Sequence, residues 1–230
     1  MKLQKVTERR EHGRWYGDSC GAAFALELVG ERWSLLLIRE LVLGARRFSD
    51  LRKVLPGISA RVLTERLEQL EAAGIVERQQ LGPPANAQVY ALTPWGQGLR
   101  GVLVSLCNWG VRSHDHNPGL GLSPSAWVLS MQAMFDSKAA RGVQARIGFA
   151  AAGESMVVTL DDGHYDVARG DAQEADIAFT ADTTRPFLRA FYGKVPLEVL
   201  EREDGLRISG NRALADTAIP LFRVPRGELG

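Results

Sequence analysis

The sequence predicts an α+β protein in two parts. The first is an N-terminal winged helix-turn-helix, helices plus a β-hairpin wing; the second is an α+β domain whose antiparallel sheet is covered by helices. Three observations predict it. At 230 residues the chain exceeds the usual size of one domain. Between Cys20 and Trp109 helical spacing of apolar residues gives way to alternation and then returns. Turn-forming residues crowd into Asn117-Pro118-Gly119-Leu120-Gly121-Leu122-Ser123-Pro124, which makes 1–116 the first domain, 117–125 a linker and 126–230 the second domain.

The charged stretch Met1 to Asp18 reads as an arm or a short helix available for dimer contacts. Phe24, Leu28 and three alanines then form a helical apolar face closed by Gly30, and Trp33, Leu36, Leu37 and Leu41 begin another that ends at Gly44. Ser49 stands where a cap belongs, ahead of a short helix carrying Leu51 and Leu55; Pro56-Gly57 breaks it. Ser59 caps the next helix, which stops at Gly74, a residue type that takes the left-handed terminating conformation at no steric cost. Ile75 to Arg78 and Gln88 to Leu92 alternate around Gly82-Pro83-Pro84-Ala85-Asn86, a hairpin and hence a wing. Thr93-Pro94 opens a helix with Leu99, Val102, Leu103, Leu106 and Trp109 on its apolar side, a length suited to dimer formation.

In the second domain, a helix from Ala126 to Phe135 precedes strands around Val143–Phe149 and Met156–Leu160, joined onward by the turn Asp161-Asp162-Gly163-His164. Ala175 to Thr180 alternates again. A helix bearing Phe187, Leu188, Phe191 and Tyr192, the segment Gly205 to Asn211, and a last helix through Leu214, Ile219 and Leu221 complete the unit.

Charge and composition narrow the function. Split after His116, the chain carries 16 Lys and Arg against 12 Asp and Glu in front, and 12 against 15 behind, the sign expected if the front meets a polyanion. Two cysteines cannot make a disulfide framework, and no apolar run matches a signal or a membrane span, so a cytoplasmic setting is expected with no membrane partner. No nucleophile elbow, P-loop, dinucleotide fingerprint or zincin helix occurs, so the chain is not expected to be an enzyme. His114-Asp115-His116 lacks the further ligands a metal needs, and no metal and no cofactor are expected.

At 100° per residue the segment 58–74 gathers Leu63, Leu67 and Leu70 on one side and Ala60, Arg61, Thr64, Glu65 and Glu68 on the other. The second helix of a helix-turn-helix enters the major groove by its N-terminal residues, where Arg pairs with guanine and Thr or Ala meets a thymine methyl. Arg61 and Thr64 are therefore the candidate base readers, with Ala60 beside them. Ser59 at the helix N-terminus is placed for a phosphate, and Arg46, Arg47, Arg52, Lys53 and Arg78 for sequence-independent attraction. Arg66 falls at the edge of the apolar side and reads as a paired structural residue.

These residues carry a resemblance. Cys20, Gly30-Glu31-Arg32-Trp33, Arg39-Glu40-Leu41, Gly44-Ala45-Arg46-Arg47-Phe48-Ser49-Asp50-Leu51, Ile58-Ser59, Leu63-Thr64-Glu65-Arg66-Leu67 and Leu92-Thr93-Pro94-Trp95-Gly96 resemble the HxlR family of winged-helix regulators, from Cys20 to about Trp109. The resemblance implies bacterial transcriptional control, repression more often than activation, a homodimer and a double-stranded DNA operator of two half-sites. The wing departs from it: Ala87-Gln88-Val89-Tyr90 stands where the family commonly has a basic residue followed by Val-Glu-Tyr. Cys20 matches a cysteine that redox-sensing members use, and it precedes a helix N-terminus that favours a thiolate. The competing reading of Cys20 is a small buried hydrophobe.

The rear half resembles sterol-carrier-protein-like domains over Trp127 to Phe222, through Asp176 to Asp182, Phe187-Leu188, Gly193-Lys194 and Leu206 to Asn211. That implies an apolar cavity for a hydrophobic small-molecule effector, with Trp127, Met131, Phe135, Phe149, Phe187, Phe191 and Tyr192 as its candidate walls. Aromatic residues at helical spacing also build plain cores. On that reading the rear domain is a dimerisation platform, and any sensing passes through Cys20.

Overall fold

The computed structural model describes residues 16–225. Most of the N-terminal arm therefore lies outside the described residues. The front half opens with α1 (Gly21–Val29) and α2 (Ser34–Leu41), separated by Trp33 at φ 82. α3 (Phe48–Val54) and α4 (Ala60–Ala72) follow. α3 starts earlier than its expected Ser49 cap: Arg47 is the capping residue, and Ser49 lies inside the first turn. Ser59 does cap α4, its Oγ accepting from the Val62 amide at 3.2 Å. Leu63, Leu67 and Leu70 pack inward against Leu37, Ile38, Leu41 and Leu51.

The wing is β1 (Val76–Leu81) paired antiparallel with β2 (Ala87–Leu92). Thr93 caps α5 (Pro94–Gln97), accepting from the Gly96 amide at 3.1 Å. The single helix expected here is broken at Gly98, and α6 (Leu99–Gly110) takes over.

α7 (Pro124–Met134) begins inside the expected linker, capped by Ser123. Its residues from Pro124 to Met131 are all buried, as expected of a helix packed on every side. Leu129 joins the core of the front half, while Trp127, Val128 and Met131 join the core of the rear.

The rear sheet holds β3 (Gln144–Ala151), β4 (Glu154–Asp161), β5 (His164–Arg169), β6 (Ile177–Thr180) and β7 (Arg207–Gly210). Their order is β5-β4-β3-β6-β7. The meander is antiparallel as expected, but β6 lies parallel to β3, so the sheet is mixed, a correction to the antiparallel reading. The chain leaves β5 through a 3₁₀ turn at Ala172–Glu174, crosses the sheet over Gly148, and lands on the far edge of β3 running the same way. α8 (Arg185–Phe191), α9 (Leu197–Glu203) and α10 (Ala213–Ala218) accompany the sheet.

Candidate nucleic-acid interface

Once Leu63, Leu67 and Leu70 are committed to the core, the helical repeat fixes which residues of α4 face water. Ala60, Arg61, Thr64 and Glu68 are exposed along one side, beginning at the capped N-terminus. Arg61 is 88% exposed, and its Nε donates to Glu65 Oε1 at 2.9 Å, a pairing that raises its pKa further. Thr64 Oγ1 donates to the Ala60 carbonyl at 3.0 Å, which commits its proton to its own helix and leaves the methyl and lone pairs for other contacts. Ser59 keeps its hydroxyl proton free for an acceptor while its oxygen caps α4.

Arg47, Arg52 and Lys53 are exposed on and beside α3. Arg78 is placed differently: its guanidinium meets Glu71 at 3.0 Å and lies 5.8 Å from the Tyr90 ring, at the foot of the wing and the C-terminal end of α4. About 18 Å of helix separates that end from Ser59. Arg66 turns inward to Glu31, Gln69 and the Arg32 carbonyl.

Arg46 does not join this face. It is 6% exposed, its Nε donating to the Glu40 carbonyl at 2.7 Å and its two outer nitrogens gripping Glu154 at 2.9 and 2.8 Å. Its reading as a phosphate contact is therefore corrected: a buried, doubly bonded guanidinium has no reach to solvent. No local pattern signals this, because Glu154 lies 108 positions away in the sequence.

In the rear domain, the expected cavity walls are packed against one another. Trp127, Phe149, Phe187 and Phe191 are at most 1% exposed, with ring centroids 5.3 to 5.9 Å apart, and Met131 is fully buried with them. Phe135 packs at a tilt against Tyr165 and Phe222, with centroids 5.6 Å away in both cases. The Tyr192 hydroxyl shares a 2.6 Å hydrogen bond with Ser130, and its burial raises its pKa. Trp127, Met131, Phe149, Phe187 and Phe191 thus lie in the interior, while Phe135 and Tyr192 are half-buried at its edge. An open groove of about 500 Å³ lies beside α8, α9 and α10, where Lys194, Glu198, Arg212 and Asp216 stand among Val195, Leu197 and Ile219.

Cys20 is exposed, not buried, and the amides of Ala23 and Ala22 at the start of α1 lower its thiol pKa. Among the described residues no group of three or more His, Cys, Asp or Glu is arranged to hold a metal. Nor is any helix there long and apolar enough to cross a membrane.

A helix-turn-helix with a hairpin wing and an exposed, N-terminally capped second helix defines the class: a winged-helix protein of the DNA-binding regulator type. Comparison with known proteins agrees. The HxlR-like helix-turn-helix family model matches residues 28–118. YybR of Bacillus subtilis (strain 168), an uncharacterized HTH-type transcriptional regulator, is 32% identical over 98 residues, covering 43% of this chain and 78% of that protein. Rv3095 of Mycobacterium tuberculosis, also an uncharacterized HTH-type regulator, is 41% identical over 97 residues, 42% of this chain and 60% of the relative. Among solved structures, the reduced form of YodB from B. subtilis aligns with a TM-score of 0.39 at 34% identity, over 43% of this chain and 97% of that one. The redox regulator HypR in its oxidized form aligns at 0.39 and 32%, over 42% and 100%. The chain belongs to the HxlR-like helix-turn-helix family.

Proposed function

We propose that this protein is a sequence-specific transcriptional regulator, in the main a repressor, that binds a double-stranded operator as a homodimer. The observation that carries the reading is the exposed N-terminal face of α4, where Ser59, Ala60, Arg61 and Thr64 stand opposite a fully buried leucine stripe. Arg61 reads a base edge, Thr64 and Ala60 meet a thymine methyl, and Ser59 and Arg47 hold phosphates. Glu65 keeps Arg61 extended along the helix. So exposed a pair holds only weakly against water and salt, so DNA can draw the guanidinium away at little cost. Arg78 reaches phosphates only from the wing side.

The second copy docks on α6. None of its residues is buried within one protomer, and Val102, Leu106 and Trp109 leave an apolar strip with Trp109 76% exposed. Sedimentation of Trp109→Glu beside the unaltered chain checks this, with a shift to monomer expected.

Binding sites selected from random duplexes and titrated at two salt concentrations test the main reading. Half-sites about one helical turn apart, or a multiple of it, are expected. Arg61→Ala should weaken the selected site and relax one position, whereas Arg47→Ala should lower affinity on every sequence. Equal losses for Arg61→Ala on operator and random DNA would remove it as a base reader.

The rear domain is proposed to hold a hydrophobic effector; the groove beside α8 to α10 has room for a small molecule, but Lys194, Glu198, Arg212 and Asp216 on its walls suit a polar one better. Native mass spectrometry of the purified protein, with thermal shifts across an apolar library, decides between a sensor and a packed dimerisation platform. A second reading, sensing through Cys20, is favoured by its exposure and lowered thiol pKa.

A further inference from the structure

Arg46 stands where four parts of the molecule meet. Its backbone pairs with Tyr90 of the wing in both directions, at 2.9 and 2.8 Å. α3 begins two residues later. Its Nε is tied to the end of α2 through the Glu40 carbonyl, and its outer nitrogens cross to the rear domain, taking both oxygens of Glu154 and the Ser125 hydroxyl at 2.9 Å. The rear side presents Glu154 firmly: it follows the tight turn Ala152-Gly153, both residues at positive φ, at the head of β4. Arg169 holds Glu154 Oε2 at 2.9 Å and donates to the Leu43 carbonyl at 3.1 Å, a second stitch across the same seam.

Glu40 breaks the symmetry of this cluster. It is fully buried, and its Oε1 is well supplied, by Arg39 Nε at 2.9 Å and Ser123 Oγ at 2.7 Å. Its Oε2 has no hydrogen bond, although Arg46 Nη2 stands 3.6 Å away. A buried carboxylate oxygen left unbonded 3.6 Å from a guanidinium marks a second seat for that guanidinium, reached by closing that gap to hydrogen-bond length.

We propose that Arg46 is a two-position latch between the DNA-reading head and the rear domain. With Glu154 in reach the fork is engaged across the seam and head and rear are fastened. When the β3–β4 turn withdraws, the same guanidinium closes on Glu40, stays paired inside the head, and releases the wing and α3 to take a new angle. Glu154 is thus a positioning residue for DNA reading. That last consequence rests on the function proposed above; the latch itself does not.

The test uses the full chain with Glu154→Gln, Glu40→Gln and the double variant, all close in shape to the native residues. Each single change leaves Arg46 one carboxylate, so each should shift the urea midpoint modestly, and the double variant by clearly more than the two shifts combined. Hydrogen exchange should show the first turn of α7 opening at least tenfold faster in Glu154→Gln, with the Arg46 and Tyr90 amides still protected. Operator affinity should change about fivefold or more in that variant with base preference unaltered. Additive midpoint shifts, or α7 exchange unchanged, would overturn the latch. Unchanged operator affinity would overturn its coupling to DNA reading. An unaltered chain that selects no operator would instead defeat the proposed function, while the unfolding and exchange measurements still decide the latch.

Discussion

The two cysteines show how position alone sorts chemically identical side chains. Cys20 sits in water ahead of α1, where backbone amides pull its thiol pKa down; burial pushes the Cys107 thiol up, with Arg39 only partly opposing it. Because the thiolate is the reactive form, iodoacetamide at neutral pH should modify Cys20 well before Cys107, read by peptide mass spectrometry. Equal labelling would mean that the helix start has no hold on the thiol. In the aromatic interior the governing quantity is volume. Phe149 touches Trp127, Phe179, Phe187 and Phe191, so Phe149→Ala should cost about 3–5 kcal/mol in chemical unfolding. A much smaller loss would show that the cluster collapses onto the gap or already contains slack. Arg46 belongs at this scale too. Its neighbour Arg47 is basic and its motif lies in the DNA head, and nothing local says that its partner is a glutamate in the other half of the chain.

Elements were legible in proportion to how much of their stability is local. α4 could be read because a capping serine, a leucine stripe at helical spacing and a terminating glycine all lie within its own seventeen-residue span, 58–74. Ser59→Ala should accordingly cost about 1 kcal/mol, measured by urea unfolding. α9 leaves little trace in the sequence because only Leu197 and Leu200 pack into the core along it, too few for a periodic signal. The direction of β6 could not be read at all, since alternation looks the same whichever way the neighbouring strand runs. What fixes it is the crossing above Gly148, where an added Cβ would stand 2.2 Å from the Ala172 carbonyl oxygen. Gly148→Ala should therefore force the crossover off the sheet and destabilise the rear domain well beyond the roughly 1 kcal/mol that glycine-to-alanine changes usually involve. A neutral result would show that the crossing yields freely.

At the scale of the whole molecule, the expected linker is the place where sequence and structure differ most. Proline and glycine crowd residues 117–124, yet the chain is buried from Pro124 to Met131, and α7 gives Leu129 to one core and Trp127 to the other. Halves that share a helix melt together, so calorimetry of the full chain should give one transition, and a fragment ending at residue 116 should unfold at a lower temperature than the intact protein. Two separate transitions would show that α7 serves one half alone. The parallel pairing of β3 with β6 carries a different consequence, one of timing. A ribosome releases β3, β4 and β5 in order, and these three pair as they emerge, but the second edge of β3 stays bare until β6 has been made and has crossed over. An uncovered strand edge recruits other strands. Nascent chains from which β5 has emerged and β6 has not are thus a form of this protein open to aggregation through that edge, and that interval of synthesis is where a chaperone would have most to protect.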